Sequence, residues 1–339
     1  MTSSLQRELN DFFGKVNKEG YDIQAVTKSA LTHARAKLKP EAFLELNQTA
    51  VKEFYEGAPY TIWKEHRILA IDGSTLNVPS HKSTRAEFGE YGVGCNADVM
   101  RSMVRISICY DVLNLLTLDA KIDAFNVSEQ TLLKEHLEKV PFKQGDVLLL
   151  DRGYPSIALM YILKQKGIHF CIRMKDNWWT EVGKFNAEGL EQKAVVFKLP
   201  SKDKNLQQQW ESTEDSISCR LISIDLGNGE KEILCTSLMD DKLYSIADMK
   251  ELYHYRWHIE EAYKLYKNRV QIEVFSGKTA QAIKQDFYAR VFMMSICAAL
   301  SFPIEKKVRE EVYRATRQHP HQINRTNAIA SCRKTKRTS

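Results

Sequence analysis

No export signal, membrane-length hydrophobic run or cysteine framework is visible in the sequence. Its start, Met1-Thr2-Ser3-Ser4-Leu5-Gln6-Arg7, lacks the apolar segment of a secretory leader. The longest apolar stretch, residues 291–304, contains Ser295, Ser301 and Pro303, and it falls short of the ~20 residues a membrane helix needs. Both absences predict a cytoplasmic protein with no membrane partner. The seven cysteines (95, 109, 171, 219, 235, 297 and 332) are odd in number, scattered and without a CxxC pair. That pattern argues against a disulfide framework and a cysteine zinc site. Internal repeats and low-complexity blocks are missing too. A large charge excess is also lacking: the net charge is +6, residues 306–339 alone carry +8, and the remainder is −2. Only local basic patches, not the surface as a whole, can therefore attract nucleic acid.

What is present is the composition of a soluble globular chain, with 43% hydrophobic and 27% charged residues among 339. That length suits one large domain or two to three ordinary ones. Residues 1–60 read as helical. Within them, Asp22–Leu38 spaces apolar residues at 26, 30, 31, 34 and 38, and its other face offers Thr27, Lys28, Ser29, Thr32, His33, Arg35 and Lys37. Such a face is what a helix-turn-helix recognition helix presents to phosphates and base edges, which makes Lys28 and Arg35 candidate DNA contacts. An ordinary amphipathic helix has the same spacing.

From residue 68 the pattern turns to strands. Ile68–Ile71 runs into Asp72-Gly73-Ser74, read as a strand ending in a turn, and 80–98, broken by Gly89, Gly92 and Gly94, reads as an exposed loop. Val104–Val112 and Leu115–Phe125 form a hairpin about Leu113-Asn114. Ser128 opens a helix to Val140, and Val147–Leu150 has the fully apolar character of a strand buried on both faces, ending at Asp151. Ser156 caps a further helix that Gly167 stops, and His169–Met174 is the next strand. The alternation predicts a mixed α/β sheet. Short β-prone runs at 194–199, 218–224 and 231–237 predict an antiparallel insertion, after which Ser245 and Asp248 stand in capping-box spacing. An apolar helix is expected over 279–302.

Between these helices lies Tyr253 to Lys267, free of glycine and proline, which reads as one helix. At about 100° per residue, Tyr253, Arg256, Glu260 and Lys267 share a ridge beside an apolar arc of Leu252, Tyr255, Ile259, Ala262, Tyr266 and Val270. Alone, this describes a solvated helix with an Arg256–Glu260 pair. Asp72 and Asp151 change its meaning, because each stands where an apolar strand ends, and open α/β sheets bind ligands there. Three carboxylates from two strands and a helix suit Mg²⁺ or Mn²⁺, with positions left for phosphate and water. Two such ions can activate the attacking oxygen and stabilise the leaving one at a phosphodiester, while Arg256 and Lys267 supply charge for phosphate oxygens. His254 and His258 share a helix face without an HExxH pattern, and Ser74 and Ser276 lack a nucleophile-elbow context.

On these residues the chain resembles the DDE-type transposases of bacterial insertion sequences, in the branch marked by Tyr-x2-Arg-x3-Glu-x6-Lys. That signature stands as Tyr253, Arg256, Glu260 and Lys267, with Glu273–Thr279 after it. The two Asp motifs are Ile71-Asp72-Gly73-Ser74 through Val78-Pro79 and Leu150-Asp151-Arg152-Gly153-Tyr154. The resemblance covers roughly residues 20–300. It implies a ribonuclease-H-like mixed sheet in two parts, 61–175 and 246–302, around a β-rich insertion at 176–245. A helical end-DNA-binding region, 1–60, precedes it, and a basic tail, 303–339, follows. It also implies cutting of phosphodiester bonds at element ends and joining to target DNA, with Mg²⁺ (or Mn²⁺) held by Asp72, Asp151 and Glu260. Tyr253, Arg256 and Lys267 would hold DNA phosphates, and a homodimer would act on double-stranded DNA at the bacterial nucleoid. An aromatic of the insertion would stack a flipped base, for which Trp178, Trp179 and Trp210 are candidates beside a plain packing role. The ending from His319-Pro320-His321 onward is unlike a packed finish, which leaves an alternative: a shortened, DNA-binding remnant acting as an inhibitor.

Overall fold

A computed structural model describes residues 5–17, 26–92, 98–175, 179–203, 205–210, 214–227 and 230–318, with side chains to 308. Helices α1 (Leu5–Asn17), α2 (Lys28–Lys37) and α3 (Glu41–Gly57) precede β1 (Ile68–Asn77). Next come α4 (Lys82–Phe88), the short pair β2 (Tyr91–Gly92) and β3 (Met100–Arg101), β4 (Met103–Asp111), β5 (Leu116–Ala124) and α5 (Glu129–Lys139). β6 (Val147–Leu150), α6 (Ile157–Gln165) and β7 (His169–Met174) complete the first run of the sheet. α7 (Thr180–Glu188), β8 (Gln192–Lys198), α8 (Asn205–Gln209), β9 (Ser216–Asp225) and β10 (Lys231–Thr236) follow, then α9 (Ile246–His254), α10 (Trp257–Lys264) and α11 (Ala280–Gln318).

Eight strands form one mixed sheet in the order β5-β4-β1-β6-β7-β10-β9-β8. β1, β6 and β7 are parallel neighbours, and the other pairings are antiparallel. The first five strands thus have the ribonuclease-H-like order, and the β-rich segment extends the same sheet from β7. Parallel strands at the centre must be covered on both faces, and Val147, Leu148, Leu149 and Leu150 are all 0% exposed. One face, carrying Ile68, Ala70, Ile106, Ile108, Val147 and Leu149, packs with Leu252, Ile259, Ala262 and Tyr263 of α9 and α10 and with Ile283, Phe287 and Val291 of α11. Side chains alternate along a strand, so Ser107 faces the opposite way. There its hydroxyl lies 3.0 Å from His136 Nε2 of α5.

The chain divides into two units, 1–295 and 296–339. α11 contributes residues to both, with Pro303 inside its second part. By length and composition Ala280–Val308 would suffice to span a bilayer, but Ile283, Phe287 and Val291 are buried in the core of the first unit.

Five local expectations are corrected. β1 does not end at Asp72; it stays paired with β4 as far as Asn77↔Met103. The segment 80–98 is not simply an exposed loop, because a capping box of His81 and Thr84 starts α4, which buries Thr84 and Phe88. The helix of 22–38 is described only from residue 28; Thr27 is its N-cap, its hydroxyl accepting the Ala30 N–H at 3.1 Å, and residues 22–25 lie outside the described residues. Tyr253–Lys267 is not one regular helix. It tightens at Tyr255 and Arg256, whose N–H groups reach back three residues to Leu252 and Tyr253. It then widens at Leu265–Arg269, where Val270 N–H bonds Leu265 O at 3.0 Å. Finally, α11 runs well past Phe302.

Candidate active site

Asp72 stands where β1 loses one neighbour and keeps the other. Parallel pairing with β6 is in register only through Ala70↔Leu149, whereas β4 continues alongside. The Asp72 carbonyl accepts two hydroxyl donors, Ser107 Oγ of β4 at 3.2 Å and the Tyr263 phenol of α10 at 2.7 Å. The helix that carries Glu260 is thereby fastened to the strand that carries Asp72. Behind Ser107, His136 bridges to Asp119 Oδ2 at 2.8 Å, and Lys121 Nζ lies 3.2 Å from that same oxygen.

Asp151 follows the last residue of β6. The Tyr253 phenol lies 3.5 Å from Asp151 Oδ1 and 3.4 Å from the Leu150 carbonyl. Arg256 is 5% exposed, pairs through Nη1 with Glu260 Oε1 at 2.9 Å, and lies over the rings of Tyr253 and Trp257. Burial opposes its charge, but Tyr253, Asp151 and Glu260 hold that charge more firmly than usual. Burial pushes the Asp72 carboxyl up to about 6; the Gly73 N–H and Arg256 oppose the rise, while Glu129 and Asp151 add to it. Asp72, Asp151 and Glu260 therefore all meet the field of one guanidinium.

Among the described residues, no three His, Cys, Asp or Glu side chains converge closely enough to enclose an ion. The donor set still fits Mg²⁺ or Mn²⁺, being carboxylate oxygens alone. The Tyr154 phenol is 1% exposed and has no hydrogen-bond partner among the described residues, and the charges of Asp72, Glu129 and Asp151 act on it. A buried polar group left unpaired is costly, and a hydrated cation among these carboxylates would relieve it.

The other expected residues are placed less centrally. Lys267 sits half-buried on the widened turn, with no ion-pair partner among the described residues. Lys28 is exposed on α2. Arg35 is engaged within the chain, pairing with Asp286 at 3.0 Å and bonding Gln285 Oε1 at 3.1 Å and the Ser276 hydroxyl. Trp179 packs edge-on against Phe197, Trp210 lies under Lys166, and Trp178 lies outside the described residues. Sequence reasoning missed Tyr263, Ser107 and Glu129. The one local signal was Gly73, a residue without a side chain directly after Asp72.

Residues 63–296 match the family model described as Transposase DDE domain. The transposase InsG for insertion sequence element IS4, from Escherichia coli (strain K12), is 24% identical over 270 residues, which is 78% of this chain and 58% of that one. The chain thus spans less than two thirds of the length of that relative. The cryo-EM structure of the piggyBac transposase synaptic complex with hairpin DNA aligns with 71% of this chain and 48% of its own, at 10% identity and a TM-score of 0.45. Matched from before Asp72 to beyond Glu260, the chain belongs to the transposase DDE domain family.

Proposed function

We propose that this protein is a DNA transposase that cuts phosphodiester bonds at the ends of an insertion sequence and joins them to target DNA, with Asp72, Asp151 and Glu260 holding Mg²⁺ or Mn²⁺. The observation that carries this reading is the shared guanidinium: Arg256 pairs with Glu260 and acts electrostatically on both Asp72 and Asp151. A bound divalent ion supplies positive charge to the attacking and leaving oxygens of the phosphodiester. The chain's own residues set the positions. Ser107 and Tyr263 hold the Asp72 carbonyl, Tyr253 abuts Asp151, and Arg256 restrains Glu260.

Since Arg256 Nη1 is held by Glu260, a phosphate contact through that nitrogen requires the pair to open, and Lys267 is the freer cation for a DNA phosphate. In the same reading, residues 1–60 meet the element end, with Lys28 as an exposed contact, and 61–175 and 246–302 form the catalytic core around the insertion. The working form is a homodimer on double-stranded DNA in the bacterial cytoplasm. The test is Mg²⁺-dependent nicking of DNA carrying the element's own terminal repeats, comparing the unaltered chain with Glu260→Gln. A loss of at least about 10²-fold is expected when one group that stabilises transition-state charge is removed, and equal nicking by both proteins overturns the role of Glu260.

A further inference from the structure

Asp72 and Gly73 point to opposite faces of β1. On the Gly73 side, an added Cβ would come within 2.7 Å of Glu129 Cγ and 2.8 Å of Glu129 Cδ and Oε1. The Glu129 side chain, from the first turn of α5, therefore lies against the strand backbone where only glycine leaves room. Its Oε2 is 3.9 Å from where a Cβ on Gly153 would stand, in the loop that follows Asp151. Glu129 thus reaches both backbone segments that carry the two aspartates, from the face of the sheet opposite α10. Arg105 Nη1 of β4 holds Oε1 at 2.8 Å, and Arg105 Nε is itself anchored on the Phe125 carbonyl at 3.2 Å. The Glu129 side chain remains 34% exposed. A second observation points into the same space: the Tyr154 phenol is buried and has no hydrogen-bond partner among the described residues, and the charges of Asp72, Glu129, Arg105 and Asp151 act on it.

We propose that Glu129 is a fourth carboxylate of the divalent-cation site, delivered by α5 through the gap that Gly73 leaves and steadied by Arg105. The proposal rests on Asp72 and Asp151 being cation ligands. On this view the glycine after Asp72 is a passage for a side chain rather than a turn residue, and carboxylates approach the ion from both faces of the sheet. Arg105 offsets part of the added negative charge and keeps Oε1 in place while Oε2 faces the Asp151 loop.

The test is thermal unfolding of the full chain as a function of MnCl₂ and of MgCl₂, which reports cation binding without catalysis. The unaltered protein is expected to gain stability with cation. Glu129→Gln should need at least about tenfold more cation for the same gain, comparable to the loss of a group that tunes a metal site, and Glu129→Asp should recover part of the affinity. Arg105→Gln should lower the melting temperature without cation and, by freeing Oε1, weaken the cation response less than Glu129→Gln does. If Glu129 serves only as the partner of Arg105, Glu129→Gln will lower the melting temperature without cation but leave the cation response unchanged, and the proposal is overturned. Asp72→Asn separates the two levels. An abolished response there beside a normal one in Glu129→Gln removes this inference alone, whereas a normal response in Asp72→Asn removes the underlying site. Should Glu129→Gln fail to fold, Gly73→Ala decides: it displaces the Glu129 side chain while leaving its charge, so weakened cation binding supports the proposal and an unaltered response overturns it.

Discussion

At the scale of single residues, hydroxyl and imidazole groups behind Asp72 hold its backbone in place. Tyr263 donates to the Asp72 carbonyl from the helix of Glu260, and Tyr263→Phe removes the hydroxyl that makes that bond. The expected cost is about 1 kcal/mol of stability in urea unfolding, with a larger proportional fall in nicking because β1 and α10 lose their direct link. Asp119 is the buried end of the run through His136 and Ser107 to the Asp72 carbonyl. Burial would raise its carboxyl, but the His136 hydrogen bond, the His136 charge and Lys121 hold it below the usual range. A carboxylate whose folded value is depressed adds stability above its unfolded value and loses it as pH falls through the folded one. Unfolding midpoints of the unaltered chain should therefore drop below about pH 4, and those of Asp119→Asn, already lower at neutral pH, should drop less. Parallel pH profiles would contradict this account of Asp119.

At the scale of elements, the two parallel strands that present the aspartates are clamped at their other ends. Arg67, just before β1, forks onto Asp146, just before β6, with bonds of 3.0 and 2.6 Å, and Val147 N–H bonds the Arg67 carbonyl at 3.0 Å. Both side chains are buried. Removing one partner strands a buried charge, so Arg67→Ala should cost about 3–5 kcal/mol, read by urea unfolding, whereas an exposed pair such as Lys52–Glu56 should cost under about 1 kcal/mol. The element boundaries also show what a linear sequence discloses. The caps at Ser128, Ser156 and Ser245 and the stop at Gly167 were legible, because each is a short-range contest between a side chain and nearby backbone groups. The true end of β1 was not, because it is set by β4, a partner some thirty residues away. The uneven winding of residues 253–269 was hidden as well, since periodicity assumes an even helix while Tyr253 and Tyr266 are drawn to fixed partners in the core.

At the scale of the whole molecule, Asp72, Asp151 and Glu260 can be proposed as ligands from sequence because each sits in a short motif, in a strand, directly after one or on a helix. Glu129 could not, because the role proposed for it depends on which face of the sheet α5 covers and on the missing side chain of Gly73. The net charge of +6 is concentrated in the last residues, so on the proposed reading a bound cation would supply positive charge where the acidic site faces a phosphodiester. Duplex binding should accordingly weaken as salt rises from 50 to 200 mM, as any phosphate contact requires, and filter binding across that range checks it. The central claim is that three carboxylates far apart in sequence serve one divalent ion. The most direct measurement replaces that ion with Fe²⁺ and maps the backbone cuts made by locally generated hydroxyl radicals. The account predicts cuts beside Asp72, Asp151 and Glu260 in the same sample, all suppressed by excess Mg²⁺; cuts at one segment only, or none that Mg²⁺ suppresses, would contradict it.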